Sequence, residues 1–519
     1  MVEQELISND ITAVAPQDAR DAGIAAPEFE YRAYDATGLA GLIRNGDTCA
    51  GELLDMAISR AEAVNPQINA IITPLYDHAR QQIDAGLPDG PFTGVPFLLK
   101  DLLCALEGTP MSNGSAAMRG VISPRDSELT RRFKQAGLVI FGKTNTPELG
   151  LMGVTEPKAW GPTRNPWHLN HTPGGSSGGS AAAIAAGIVP MASAGDGGGS
   201  IRIPAACCGL FGLKPSRGRV PTGPYATDFW DGAATEHVLT RSVRDSAAML
   251  DAIGGPDASA PYPVAKAPGF SQGLLTPVRK LRIGFTSRSF VGRDVSDDAI
   301  RATESSASLL RSLGHEVEPV TLELDGAQLA DSYLTMYFGQ VAADMDFMAG
   351  QLGTRFAQLE VEDATRVLGY LGKTITAADY VTAKRRWNGL TQTMNAFHQK
   401  YDLLLTPTLA SEPVEIGAFN PPLAEALAMK VINGLRLHKL LLKSGMVKQM
   451  ALDSLEKLPF TQLANLTGQP AMSVPLYWTE QGLPLGTQLI APLGDDLTLL
   501  QLAAQLEQAQ PWFHRTAPL

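Results

Sequence analysis

Between Pro173 and Gly195 the chain carries no charged side chain, and glycine, serine and alanine make up most of the span. A stretch of that kind either crosses a membrane or is buried against other backbone. Crossing needs about 20 predominantly apolar residues, and this span is too poor in large apolar side chains and contains Pro190. It therefore reads as buried helix near Ala181–Ala186 and buried strand near Val189–Ala194. Two glycine-crowded loops bound it, Gly174-Gly175-Ser176-Ser177-Gly178-Gly179 before and Asp196-Gly197-Gly198-Gly199-Ser200-Ile201-Arg202 after. Glycine loses more backbone freedom on folding than any other residue. Such density marks places where backbone N–H groups converge or where a tight turn needs unusual dihedrals.

The rest of the chain alternates strand and helix signals. Gly94–Lys100 is a short apolar run ending in a charge, Ser127–Ala136 has helical spacing, and Leu138–Phe141 reads as a fully buried strand. Thr37–Asn65 is helical, broken at Asn45-Gly46-Asp47 and stopped by Pro66. Leu281–Thr286 restarts the strand pattern, followed by a helix over Asp297–Leu313. Tyr401–Thr408, Ala471–Val474 and Thr487–Ile490 supply further strands, and Leu497–Gln508 a last helix. The pattern predicts an α/β fold: one large domain from residue 31 to 519, with a central mixed sheet, helices on both faces and a helical subregion over about 328–450. Residues 1–30 read as a loosely held extension without the apolar segment of a signal peptide.

With 519 residues the chain buries a large core without staples, and its net charge of −11 argues against nucleic acid as a partner. The four cysteines show no metal spacing and suit reduced thiols, so a cytoplasmic location without disulfides, metal or cofactor is expected. Lys384-Arg385-Arg386 is the densest basic run and reads as a solvated helix face.

Three polar residues stand out against this background. Ser200 closes a run of three glycines, and Gly197, Gly198 and Gly199 could aim successive N–H groups at one oxyanion; the alternative is a helix-capping serine before a helix that Pro204 keeps short. Ser176 sits in a G-x-S-x-G pattern, the nucleophile elbow of α/β-hydrolases. The segment before it, Asn165–Pro173, is a polar loop and not a strand, and the available histidines, His438 and His514, have unpersuasive settings; a Gly/Ser linker is the bland alternative. Lys100 ends an apolar strand. It is either a snorkelling edge residue or, if desolvation lowers its pKa, a base.

Together these elements resemble the amidase signature family. The resemblance rests on Gly94–Asp101, Gly142–Asn145, Gly161–Trp167, Gly174–Gly179, Gly197–Ala205 and Gly209–Pro215, with Ala464–Pro470 also fitting; it is strongest over about 65–250. The separation of Ser176 and Ser200 equals that of the family's two triad serines. The resemblance implies a Ser–cis-Ser–Lys triad of Ser200, Ser176 and Lys100 acting through an acyl-enzyme, with Asp196 and Arg202 supporting the glycine loop. The family's more usual Asp-Thr-Gly-Gly-Ser is Asp-Gly-Gly-Gly-Ser here. Within the family, Thr155–Gly161 and Val64–Ala70 look most like the nylon-oligomer (6-aminohexanoate cyclic dimer) hydrolases and the aryl acylamidases.

That resemblance implies a small-molecule amide substrate, secondary and fairly apolar, and a possible homodimer. Met336, Tyr337, Phe338, Met345, Phe347 and Met348 form an apolar stripe that lines the substrate side or packs the core. Two alternatives stay open: the A subunit of a glutamyl-tRNA amidotransferase, which typically has Gln where this chain has Ile203, and an α/β-hydrolase-type esterase with Ser176 as nucleophile. A P-loop and a zinc-hydrolase motif are both missing from the sequence.

Overall fold

The computed structural model describes residues 30–260, 264–267, 269–292, 294–420, 455 and 458–519. The expected extension lies outside the described residues up to position 29, as do His438 and the 421–450 part of the helical subregion.

Among the described residues eleven strands form one sheet: β1 (Ile71–Pro74), β2 (Pro96–Lys100), β3 (Val139–Thr144), β4 (Met191–Asp196), β5 (Phe211–Lys214), β6 (Thr235–Thr240), β7 (Arg282–Phe285), β8 (Glu316–Pro319), β9 (Leu403–Pro407), β10 (Ala471–Val474) and β11 (Thr487–Ile490). Their order is β1-β3-β2-β4-β6-β5-β10-β11-β9-β7-β8. β3, β2 and β4 are parallel, as are β9, β7 and β8, while the pairs from β4 through β6, β5, β10 and β11 to β9 are antiparallel. Every residue of β2 to β6 and β9 to β11 is buried, so both faces of the sheet are covered. That coverage explains why β2, β4, β9 and β10 read mostly as small or apolar runs without alternation, whereas β6 carries buried polar residues. The α/β expectation with a mixed sheet holds.

The uncharged span becomes the helix Gly178–Ala185 followed by β4. The helix is buried along nearly its whole length and packs on β2, β3, β4 and β6. Its Gly, Ser and Ala side chains are what let it approach the sheet so closely. The Asn45-Gly46 break also forms as expected, with Gly46 at φ 79° capping the helix Ala36–Asn45.

Some local expectations need correction. Pro66 does not stop its helix, which runs Ala50–Ile68 and ends where Asn69 turns left-handed at φ 50°. Pro66 is exposed, in the last turn, and the Asn65 side chain accepts the N–H groups of Ala70 and Ile71 just beyond. The apolar stripe divides. Met336, Tyr337 and Phe338, on the helix Gly326–Gln351, pack with Trp230, Tyr333 and Phe460, whereas Met345 and Met348 pack with Met118 and Leu149. Phe347 faces solvent at 63% exposure.

Candidate active site

Lys100 is the last residue of β2, and after it the chain leaves the sheet through Asp101. Its backbone N–H donates to Ser193 Oγ of β4 at 2.6 Å, and its Nζ donates to Ser176 Oγ at 2.7 Å. The side chain is 1% exposed. Burial pushes the amine well below its ordinary value, and neighbouring negative charge, that of Glu236 foremost, offsets part of the fall.

Ser176 lies in the loop before the helix Gly178–Ala185, and the Gly175–Ser176 peptide bond is cis. The surrounding glycines are required by close packing. A Cβ on Gly175 would stand 2.7 Å from the Val154 backbone, and one on Gly179 would stand 2.6 Å from the Asn145 carbonyl oxygen. Thr155 Oγ1 ties the loop together, donating to the Gly174 carbonyl at 2.9 Å and accepting the Gly178 N–H at 3.2 Å.

The second loop is organised around Asp196 at the end of β4. Its carboxylate accepts the N–H groups of Gly199 at 2.7 Å, Ile201 at 3.2 Å and Arg202 at 3.4 Å. The Arg202 guanidinium grips it with two hydrogen bonds, and both side chains are fully buried. Burial alone would raise the Asp196 pKa, but the Arg202 charge and hydrogen bonds hold it well below the carboxylate range. Arg202 also donates to the Thr461 carbonyl, to Gln488 Oε1 and to Asn465 Oδ1, and Asn465 Nδ2 returns to Asp196 Oδ1. One expectation changes here. The Gly199 N–H is committed to Asp196, so this glycine braces the loop and does not aim its amide at a substrate. Gly199 takes φ 123°, open to glycine, and Thr461 closes on it from the outside.

Ser200 is half-buried and stands two residues before the helix Arg202–Cys208; Pro204 sits in its first turn and does not end it, which Gly209 does by turning left-handed at φ 70°. Its carbonyl accepts the Ser177 N–H at 3.3 Å, which pins the two serine loops to each other. An aromatic wall rises beside Gly197 and Gly198. Trp230 packs over Gly197, Tyr333 packs over Gly198, and the Trp230 and Tyr337 rings meet edge-on at 5.7 Å.

Asn165–Pro173 forms turns and isolated bridges, so no strand enters the Ser176 loop, and the elbow of an α/β-hydrolase is not built here. His514 meets Phe513 edge-on near the C-terminal end, while the Ser176 hydroxyl accepts from a lysine. Among the described residues no group of three or more His, Cys, Asp or Glu side chains is arranged to hold a metal ion. No described helix is long and apolar enough to cross a membrane.

Sequence reasoning missed Glu236, Thr461 and Gln488 outright, and placed Asn465 only within a matching segment. Glu236 is 3% exposed on β6, and burial raises its pKa strongly. Its one mark in the sequence is an acidic residue shortly before the apolar Val238-Leu239.

The amidase family profile matches residues 52–500 of the chain. This chain belongs to the amidase family. The amidase is 38% identical over 501 residues to a 6-aminohexanoate-cyclic-dimer hydrolase of Pseudomonas sp. (strain NK87), covering 93% of this chain and 96% of that one. Its fold matches a 6-aminohexanoate cyclic dimer hydrolase complexed with substrate at a TM-score of 0.86 and 35% identity, over 94% of this chain and 99% of the other. A bacterial aryl acylamidase of the amidase signature family matches at 0.80 and 28% identity, over 92% and 97% of the two chains. The protein is thus a hydrolase of amide bonds.

Proposed function

We propose that this amidase hydrolyses secondary, fairly apolar carboxamides through an acyl-enzyme carried on Ser200. Neutral Lys100 takes the proton of Ser176 as Ser176 takes that of Ser200, and the Ser200 oxygen bonds to the amide carbon. The N–H groups of Gly197, Gly198 and Ser200 hold the oxyanion, each such donor being worth about 3–4 kcal/mol in the transition state. Ser176, now carrying the Ser200 proton, gives it to the departing nitrogen as the C–N bond breaks and recovers a proton from the Lys100 ammonium, which is neutral again. Water gives its proton back along the same relay and attacks the acyl ester, which releases the acid and restores Ser200. Asp196 and Arg202 keep the glycine loop in shape throughout.

The observation that carries this reading is the 2.7 Å contact between Lys100 Nζ and Ser176 Oγ, with the lysine 1% exposed. A buried amine with a depressed pKa is a competent proton acceptor near neutrality, and no histidine is then required. The aromatic wall of Trp230, Tyr333 and Tyr337 supports an apolar substrate, as do the names of the relatives.

Aryl amides, linear and cyclic aminohexanoate amides, primary amides and urethanes assayed against the purified protein test the reading. Secondary apolar amides are expected to give the highest kcat/KM. Turnover confined to glutamine in the presence of a second subunit would overturn it.

A further inference from the structure

Glu236 is a buried acid with an incomplete set of partners. It lies on β6 directly across from Gly195 of β4, and β4 in turn lies between β6 and β2, which ends in Lys100. Its carboxyl covers Gly195: a Cβ built there would stand 2.7 Å from Glu236 Cδ and 2.9 Å from Oε2. The absent side chain of Gly195 is therefore what makes room for the acid. Glu236 is 3% exposed and its Oε2 has no hydrogen-bond partner among the described residues. Leaving a buried carboxyl oxygen unmatched costs stability, and such groups call for an explanation beyond packing.

The charged groups around this acid narrow the explanation. Lys100 from β2 is the cation that acts on it most strongly, and Glu236 is the charge that acts most strongly on Lys100. Cys104, in the loop after β2, also faces the pair, but burial holds its thiol neutral. Asp196 at the end of β4 is the remaining anion, and it is already matched by Arg202, with the Lys214 amine of β5 nearby. Among the described residues Glu236 has no such counter-ion besides the lysine that contacts Ser176.

We propose that Glu236 is a positioning residue that sets the charge of Lys100, its carboxylate stabilising the ammonium form and its neutral acid form leaving the free amine. The inference rests on the reading of Lys100 as the base. It gives the buried pair two electrically neutral states, ammonium with carboxylate and amine with carboxylic acid, so that neither buried group stands charged alone. The second state is the one that accepts a proton from Ser176.

The test is kcat/KM against pH for the wild type, Glu236→Gln and Glu236→Asp on one secondary amide. Active sites are counted by titration with a serine-directed phosphonate. Without the carboxylate the ammonium form loses its support, so the acid limb of Glu236→Gln should move down by about one pH unit or more. Glu236→Asp, with its acid drawn back by one methylene, should move the same way by less. An unmoved or raised limb in Glu236→Gln overturns the proposal, since a purely structural role would lower the number of active sites and leave the limb in place. If Glu236→Gln does not fold, the Glu236→Asp limb decides on the same terms. Lys100→Met separates this inference from the reading beneath it. An inactive Lys100→Met with an unmoved Glu236→Gln limb sinks the role of Glu236 alone, whereas an active Lys100→Met sinks the base assignment itself.

Discussion

The Asp196 carboxylate and the Arg202 guanidinium face each other through two hydrogen bonds of 2.9 Å, with neither side chain exposed to solvent. Around that pair the N–H groups of Gly199, Ile201 and Arg202, which flank the proposed nucleophile in the chain, all donate to the Asp196 carboxylate. Removing one partner leaves the other buried and uncompensated, a loss of about 3–5 kcal/mol. Arg202→Met and Asp196→Asn should each lower stability by roughly that amount in urea unfolding, and the double variant should lose less than their sum. Because the folded pKa of Asp196 is depressed, its contribution is present above the unfolded carboxylate pKa. It is lost as pH falls through the folded one.

Gly179 tests the close approach of the buried helix. A methyl group there would meet Asn145 backbone and not a movable side chain, 2.6 Å from its carbonyl oxygen. Gly179→Ala should therefore destabilise by about 1–3 kcal/mol through overpacking, although alanine is the better helix former. A thermal melt equal to or above wild type would contradict the packing described here.

Lys100 predicts a separation of activity from stability. Lys100→Met removes an amine that is desolvated at a cost, so the variant should unfold at the same urea concentration or higher. Its turnover should fall by about 10²–10⁴, the usual worth of a general base. Lys100→Arg should be as inactive, since guanidinium stays protonated. In the wild type the amine must be neutral to act, and its pKa is depressed. Activity should thus rise with pH through a midpoint well below the ordinary lysine value of about 10.4.

His237 makes stability itself pH-dependent. It is fully buried on β6, its Nε2 is 2.8 Å from Ser246 Oγ, and burial lowers its pKa to about 3. The unfolded chain, with a histidine pKa of about 6.5, binds more protons than the native state across the interval between these values. Stability should be fully present above that unfolded value and decline as pH falls toward the folded one. Urea midpoints measured at neutral and mildly acidic pH should converge in His237→Gln relative to wild type.

Much of this arrangement was legible in the chain itself. β2, β4, β9 and β10 announce themselves as mostly apolar or small-residue runs, because a sheet covered on both faces demands them. The two serine loops are marked by glycines whose Cβ positions are occupied by Val154, Asn145, Trp230 and Tyr333. β6 was not legible: Thr235-Glu236-His237 reads as polar surface, yet Glu236 covers Gly195 and His237 bonds to Ser246. Asn465 and Gln488 brace Arg202 from more than 250 residues away in sequence, a relationship only the sheet order creates. The commitment of the Gly199 N–H to Asp196 likewise depends on dihedral angles that a run of glycines leaves open.

In the proposed mechanism the Ser200 oxygen bonds to the amide carbon and Ser176 relays its proton. Peptide mass mapping after reaction with a serine-directed phosphonate tests it most directly. One adduct per chain, on Ser200, with amine release falling in step and labelling suppressed in Lys100→Met, is the predicted result. An adduct on Ser176, with Ser200 unmodified, would contradict the account.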